Sequence, residues 1–125
     1  MTTADNLVKF GIGFEVAKRL GQVVKTGLTA TGTTITDALQ LVGTINVLTT
    51  VAASTGAKLP STVDVGGEVK VENRGAETLT LYPPTSAGTL NGETAGAGLS
   101  VATVEMAICT RLSTTNWSIR IAVAP

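Results

Sequence analysis

Apolar and polar residues alternate along several short segments of this chain, and this pattern predicts β-strands. The alternation is clearest in residues 68–72 and 77–82, and again in 104–112 and 117–123. Successive side chains of a strand point to opposite faces, so each segment would have one solvent-exposed face and one buried face. The abundant threonine, valine and isoleucine are branched at Cβ, which suits pleated strands better than helices. The chain is therefore predicted to be all-β.

The first pair of alternating segments predicts a hairpin. Residues 73–75, Asn-Arg-Gly, tolerate the positive φ angles of a tight turn and would join 68–72 to 77–82. The apolar side chains of the two strands would then share one buried face: Val69, Val71, Leu79 and Leu81. Pro83-Pro84 would end the second strand, because proline cannot donate a hydrogen bond to a ladder.

The second pair predicts another hairpin, with its turn at 113–116. In its first strand, positions 104, 106, 108, 110 and 112 share one face, and residues 105, 107, 109 and 111 share the other. In its second strand Trp117, Ile119 and Ile121 alternate with Ser118 and Arg120.

The remaining segments are less regular. Residues 28–32 predict a short strand, 44–51 a further strand, and 54–60 and 85–98 loops, whereas 37–41 could form a helical turn. Short strands separated by turns, without alternating helices, predict a small antiparallel β-sandwich or barrel, of which a jelly roll is one variant. A doubly wound α/β fold is disfavoured for the same reason.

The N-terminal segment differs from the rest of the chain. Residues 1–26 hold four basic and two acidic residues, a net charge of +2, whereas the remainder holds five basic and seven acidic residues. Gly11 and Gly13 each disfavour a helix by about 1 kcal/mol. We therefore divide the chain into an N-terminal arm, 1–26, and a β-domain, 27–125. A partly extended arm that packs on a partner and an ordinary edge strand or helix of the same domain are both open.

Composition excludes several functions. The formal charge is zero, which disfavours nucleic-acid binding, and there is no histidine to act as general base or metal ligand. A single cysteine allows neither a disulfide within the chain nor a zinc cluster. We expect no enzymatic activity and no cofactor. Charged residues are only 14% of the chain, against roughly 25% in ordinary domains, so we expect part of the surface to be buried against other subunits.

Three features could carry chemistry, and each has a simpler explanation. Cys109 has Arg111 on the same strand face, which could lower the pKa of its thiol, but a structural thiol is favoured because no base is available. Trp117 could stack on a ligand, although its strand position favours the core. The acidic residues of the middle of the chain are best explained as the solvated face of a hairpin: Asp64, Glu68, Glu72 and Glu77.

No membrane attachment is predicted. The first six residues lack the basic start of a secretory signal. Residues 38–57 are uncharged and long enough to span a bilayer, but they contain too many polar side chains for a transmembrane helix.

Several runs, taken in order, resemble a small β-rich module of virion proteins from tailed bacteriophages. It is the module of capsid decoration (cement) proteins, with related copies in head or tail fibre proteins. The resemblance covers about residues 28–123 and rests on five runs: 32–41 (GTTITDALQL), 50–60 (TVAASTGAKLP), 69–76 (VKVENRGA), 81–84 (LYPP) and 90–92 (LNG).

The resemblance implies a non-enzymatic structural protein, made in the host cytoplasm, that binds the major capsid protein on the outer surface of the virion. It also implies a homo-oligomer, expected to be a trimer. The N-terminal arm would either anchor the protein to the capsid or be exchanged between subunits. Its candidate capsid contacts are four apolar and two basic residues: Leu7, Phe10, Ile12, Phe14, Lys18 and Arg19.

The alternative is a receptor- or glycan-binding module of a phage fibre or spike. Such a module would need a concave site with exposed aromatic or clustered polar side chains, most naturally in the loop 83–98. That loop has no aromatic residue and only Glu93 as a charge, which counts against sugar stacking.

Overall fold

The protein is all-β, as the sequence predicts. A computed structural model describes residues 23–124, and these residues form strands, turns and loops without a helix. The strands follow in chain order: β1 (Val24–Thr29), β2 (Leu39–Gln40), β3 (Ile45–Thr50), β4 (Gly56–Lys58), β5 (Glu68–Asn73), β6 (Leu79–Tyr82), β7 (Thr89–Leu90), β8 (Leu99–Val101), β9 (Glu105–Arg111) and β10 (Asn116–Val123).

The strands belong to two sheets, between which the chain alternates. The large sheet has the order β1-β3-β5-β9-β10-β7, and the small sheet has the order β2-β4-β6-β8. In the large sheet β1, β3 and β5 are parallel, so that Ile45 lies beside Val24 on one side and Lys70 on the other. In the small sheet β2, β4 and β6 are also parallel. The first six strands therefore wind as three stacked rungs.

This winding corrects the predicted antiparallel sandwich or barrel. Stacked parallel rungs shared by two sheets form a short β-solenoid, in which each rung buries its apolar face against its neighbours. Apart from an isolated antiparallel bridge between Thr31 and Gly56, antiparallel pairing among the described residues involves the later strands, where β9 joins β5 to β10 and β8 pairs with β6. Alternation along a strand reports which face is buried but says nothing about the neighbouring strand, and the prediction failed for that reason.

The first predicted hairpin is wrong in its pairing, although its strands and buried faces are correct. Strand β5 lies in the large sheet and β6 in the small one. Between them Asn73 turns the corner: its Nδ2 donates to the carbonyl oxygens of Glu77, at 2.8 Å, and Val101, at 2.9 Å, and its Oδ1 accepts from the N–H of Gly75. A Cβ on Gly75 would lie 2.6 Å from Val51, so the corner requires glycine. The four apolar residues named for this hairpin are all fully buried: Val69, Val71, Leu79 and Leu81.

The second predicted hairpin is confirmed. Strands β9 and β10 pair antiparallel, with Ile119 opposite Cys109. The buried face of β9 is the one with the smaller side chains, Ala107 and Cys109, whereas Met106 and Ile108 are half-buried on the outer face of the large sheet. The small residues face the core because their cross-strand neighbours there are the bulkier residues of β5 and β10.

One predicted domain boundary and two predicted loops also differ from the structure. The boundary placed between the arm and the β-domain, at residues 26 and 27, falls inside β1. The predicted loop 54–60 contains β4, and the predicted loop 85–98 contains β7. Both strands are three residues or fewer, too short for alternation to reveal them.

The helical turn proposed at 37–41 is wrong in its position, because the turn lies at residues 34–38 and β2 follows it directly. The carboxylate of Asp37 accepts two hydrogen bonds from Thr34, from its N–H at 2.9 Å and its hydroxyl at 2.8 Å. The N–H of Ala38 donates back to the carbonyl oxygen of Thr34. The side chain of Asp37 thus closes the turn that leads into the small sheet.

The pH dependence of stability tests this turn. Hydrogen bonds from the backbone N–H and then the hydroxyl of Thr34 lower the pKa of Asp37 from its ordinary value of 3.8. Because the folded-state pKa is lower than the unfolded one, the stabilisation is complete above pH 3.8 and is lost as the pH falls through the folded-state value. We expect Asp37→Asn to destabilise the protein at pH 6 and to differ progressively less from wild type below pH 3.8.

Urea denaturation monitored by circular dichroism at both pH values measures this difference. Glu93→Gln, on an exposed loop, is the control and should follow wild type throughout. An Asp37→Asn effect that is unchanged between pH 6 and pH 2.5 would contradict the role given to the carboxylate.

Candidate functional site

Cys109 is buried in the core, which contradicts the idea of an activated thiol. Its side chain has no solvent exposure and lies between Val69 of β5 and Ile119 of β10. Burial, with a smaller contribution from the charge of Glu68, raises the pKa of the thiol to about 12. The thiol is therefore neutral at physiological pH and serves as a small apolar core residue.

Arg111 joins two loops through hydrogen bonds and does not lower the pKa of the Cys109 thiol. Its Nη1 donates to the carbonyl oxygens of Ser61, at 3.1 Å, and Val63, at 2.6 Å. Its Nε and Nη2 donate to the carbonyl oxygens of Ser113 and Thr114. The guanidinium thus connects the loop before β5 with the β9–β10 turn, a role that its fan of five donors suits.

Trp117 is a core residue, as its position in the strand predicts. It is 1% exposed, and the Arg111 guanidinium carbon lies 5.9 Å from the centre of its ring. Its Nε1 has no hydrogen-bond partner among the described residues. An open cavity of about 450 Å³ lies beside it and beside Leu112, but an indole that is already covered cannot offer its face to a ligand.

The acidic side chains named in the sequence analysis are mostly solvated. Asp64, Glu68 and Glu77 are exposed, and Glu72 pairs with Arg74 at 3.0 Å. Within residues 23–124, no three histidine, cysteine, aspartate or glutamate side chains come together as metal ligands would. In the same residues no helix has the length and apolarity to cross a membrane.

The candidate capsid contacts lie outside the described residues. All six belong to the first 22 positions: Leu7, Phe10, Ile12, Phe14, Lys18 and Arg19. The prediction that they bind the capsid therefore stays a prediction.

The structure reveals an exposed apolar surface where the described chain begins. We call Val23, Val24, Val42 and Ile45 the valine patch; these side chains are 38–64% exposed. Val24 and Ile45 are cross-strand neighbours in β1 and β3. Val23 is held in place by Thr44, whose hydroxyl accepts its N–H at 2.8 Å and whose N–H donates to its carbonyl oxygen at 2.7 Å.

A cavity of about 380 Å³ opens beside the valine patch. Val23, Val42 and Val63 line it together with the exposed carboxylates of Asp64 and Glu68. The site therefore combines an apolar floor with an acidic rim, and it fits a segment that carries both apolar and basic side chains. Sequence reasoning missed it, because the strand predicted at 44–51 gave no sign of which apolar side chains face outward, and only the fold shows this.

The edge strands β1, β2 and β7 are poor templates for strand addition. The pairing of β1 with β3 shifts register twice, between Lys25 and Leu28 and between Leu28 and Thr29. Gly27, which lies within the first shift, has a φ of 67°. Strands β2 and β7 have two residues each. Next to β7, the side chain of Asn91 pairs with the N–H and the carbonyl oxygen of Ile119. Bulges, short strands and side-chain caps of this kind prevent edge-to-edge aggregation, so contacts with other chains would use side-chain surfaces.

Neither a protein-family model nor a curated protein matches this chain.

The burial of Cys109 predicts its reactivity. In the folded protein at pH 8 the thiol should react with Ellman's reagent at least roughly a hundredfold more slowly than a cysteine placed on the surface, because it reacts only when the core opens. The matched control is Ser100→Cys in a Cys109→Ala background, since Ser100 is exposed on β8. Urea should release one reactive thiol per chain from wild type. Rapid labelling of native wild type at pH 8 would contradict the buried, neutral thiol.

Proposed function

We propose that this chain is a virion structural protein, a capsid decoration or cement protein that binds the outer surface of a phage capsid and stabilises the shell. The observation that carries the proposal is the surface of the β-solenoid, which has little charge and many exposed apolar side chains. Among residues 23–124, the large apolar side chains that are 37–78% exposed are Val23, Val24, Val42, Ile45, Val65, Val104, Leu112, Ile121 and Val123.

Such a surface suits permanent contact with other proteins. Scattered exposed apolar residues are normal, but here they accompany a charged fraction of only 14%. A stable interface buries on the order of 1,600 Å² in total, and burial of apolar surface supplies most of its free energy. A homo-oligomer, expected to be a trimer, would repeat the contact with the major capsid protein and gain avidity.

The interior also suits a passive, durable role. The Cys109 thiol is neutral and enclosed, and the buried polar side chains Asn46 and Asn73 have their hydrogen bonds satisfied by backbone groups. A protein that clamps neighbouring capsid subunits against the pressure of packaged DNA benefits from a core that neither reacts nor opens.

The alternative function, receptor or glycan binding on a fibre or spike, has less support. Trp117 is enclosed, and the loop 83–98 contains no aromatic side chain for a sugar to stack on.

The proposal is tested with shells assembled from the major capsid protein of the virus that encodes this chain. The full-length protein should co-sediment with the expanded shells, appear as density on their outer surface by cryo-electron microscopy, and raise their temperature of disruption. Shells without the protein give the baseline temperature. Density only on a fibre or spike, or binding to a glycan array with none to the shells, would overturn the proposal.

A further inference from the structure

We propose that the valine patch and its acid-rimmed cavity receive residues 7–20 of a second copy, so that neighbouring copies associate by exchanging their N-terminal segments. The inference rests on the homo-oligomer of the proposed function. Of the two roles predicted for the N-terminal arm, it favours exchange between subunits over anchoring to the capsid.

Among residues 23–124, the receiving surface is exposed and consists of a pair of side chains on β1 and β3 and a cavity lined by two further valines. Val24 and Ile45 pair across β1 and β3, and Val23 and Val42 line the same cavity of about 380 Å³. Val42 and Val24 are 64% and 59% exposed. Because the edge of β1 is protected by its register shifts, the patch is suited to receive side chains in the cavity more than a new strand along the edge.

The N-terminal segment has the chemistry that this surface lacks. Both phenylalanines of the chain, Phe10 and Phe14, lie in it, together with Lys18 and Arg19. Residues 7–20 hold three basic residues and one acidic residue, a net charge of +2, whereas residues 21–125 hold six basic and seven acidic residues, a net charge of −1. The phenylalanines would fill the apolar floor, while the basic side chains would lie against Asp64 and Glu68 on the rim.

The position of the segment in the chain limits the geometry of the assembly. Lys18 precedes Val23 by five residues, so an extended chain carries it roughly 17 Å at most from the patch of its own copy. The patches of exchanging copies must therefore lie close to a shared symmetry axis. Each copy then gives one segment and receives one, and such a head-to-tail contact closes into a ring when the rotation is cyclic.

Charge-exchange variants of the full-length chain test the contact. We expect Lys18→Glu with Arg19→Glu, and separately Asp64→Lys with Glu68→Lys, to weaken self-association on the order of tenfold at low salt. An equimolar mixture of the two double variants should form hetero-oligomers, because each supplies the complement that the other lacks. Glu93→Lys, which changes an exposed charge away from the cavity, is the matched control and should leave association unchanged. Analytical ultracentrifugation measures all four, and circular dichroism checks their folding.

Cross-linking identifies which copy supplies the segment. In a Cys109→Ala background, a chain with Phe14→Cys is mixed with a chain with Val42→Cys and oxidised. We expect a disulfide-linked dimer of one chain of each kind, whereas Phe14→Cys mixed with Val123→Cys, on the distant strand β10, should give none above background.

Three results would overturn the inference: a full-length protein that is monomeric, charge variants that associate like wild type, or a double variant, Phe14→Cys with Val42→Cys, whose disulfide forms only within one chain. If the variants remain oligomeric but no longer bind capsid shells, the segment contacts the capsid. In that case the inference fails while the proposed function stands.

Discussion

The fold depends on the parallel stacking of β1, β3 and β5, since this ladder fixes how the chain passes from one sheet to the other. Strand β3 lies in the middle of it and buries Asn46 and Leu48 toward the core. Asn46 binds the N–H and the carbonyl oxygen of Gly43 at the preceding corner, and Asn73 has the corresponding role after β5. A buried amide without such partners would cost about 1–3 kcal/mol, so these side chains belong at the corners and not in the middle of strands.

The stacking also decides which surfaces remain for other chains. Each rung exposes the outward side chains of its strands, and the first rung has no earlier rung to cover it within the described residues. Solenoids need such ends to be capped. Here the register shifts of β1 protect the backbone edge while the valine patch stays apolar. The backbone edge is thus protected against strand addition, while an apolar side-chain surface remains exposed among the described residues.

The sequence predicted local features well and long-range pairing poorly. The strands β3, β5, β6, β9 and β10 were recognisable, and so were the turn at 113–116 and the core position of Trp117. Asn73 and Gly75 were identified as turn residues, but a turn that reverses a hairpin and a corner that leads to another sheet use the same residue types. Their difference lies in contacts with Val101 and Val51, which are distant in sequence and leave no local signal. The candidate site was missed for a similar reason, because Val42, Asp64 and Glu68 meet only after the rungs have stacked.

The pairing of β3 with β5 tests the account most directly. In solution, nuclear magnetic resonance should detect a scalar coupling across the hydrogen bond from the N–H of Lys70 to the carbonyl of Thr44, whose atoms lie 2.8 Å apart. Nuclear Overhauser contacts should also join the Lys70 amide to the α proton of Ile45. Backbone contacts between β5 and β6, in the register of a hairpin closed at 73–75, would contradict the solenoid and the surface derived from it.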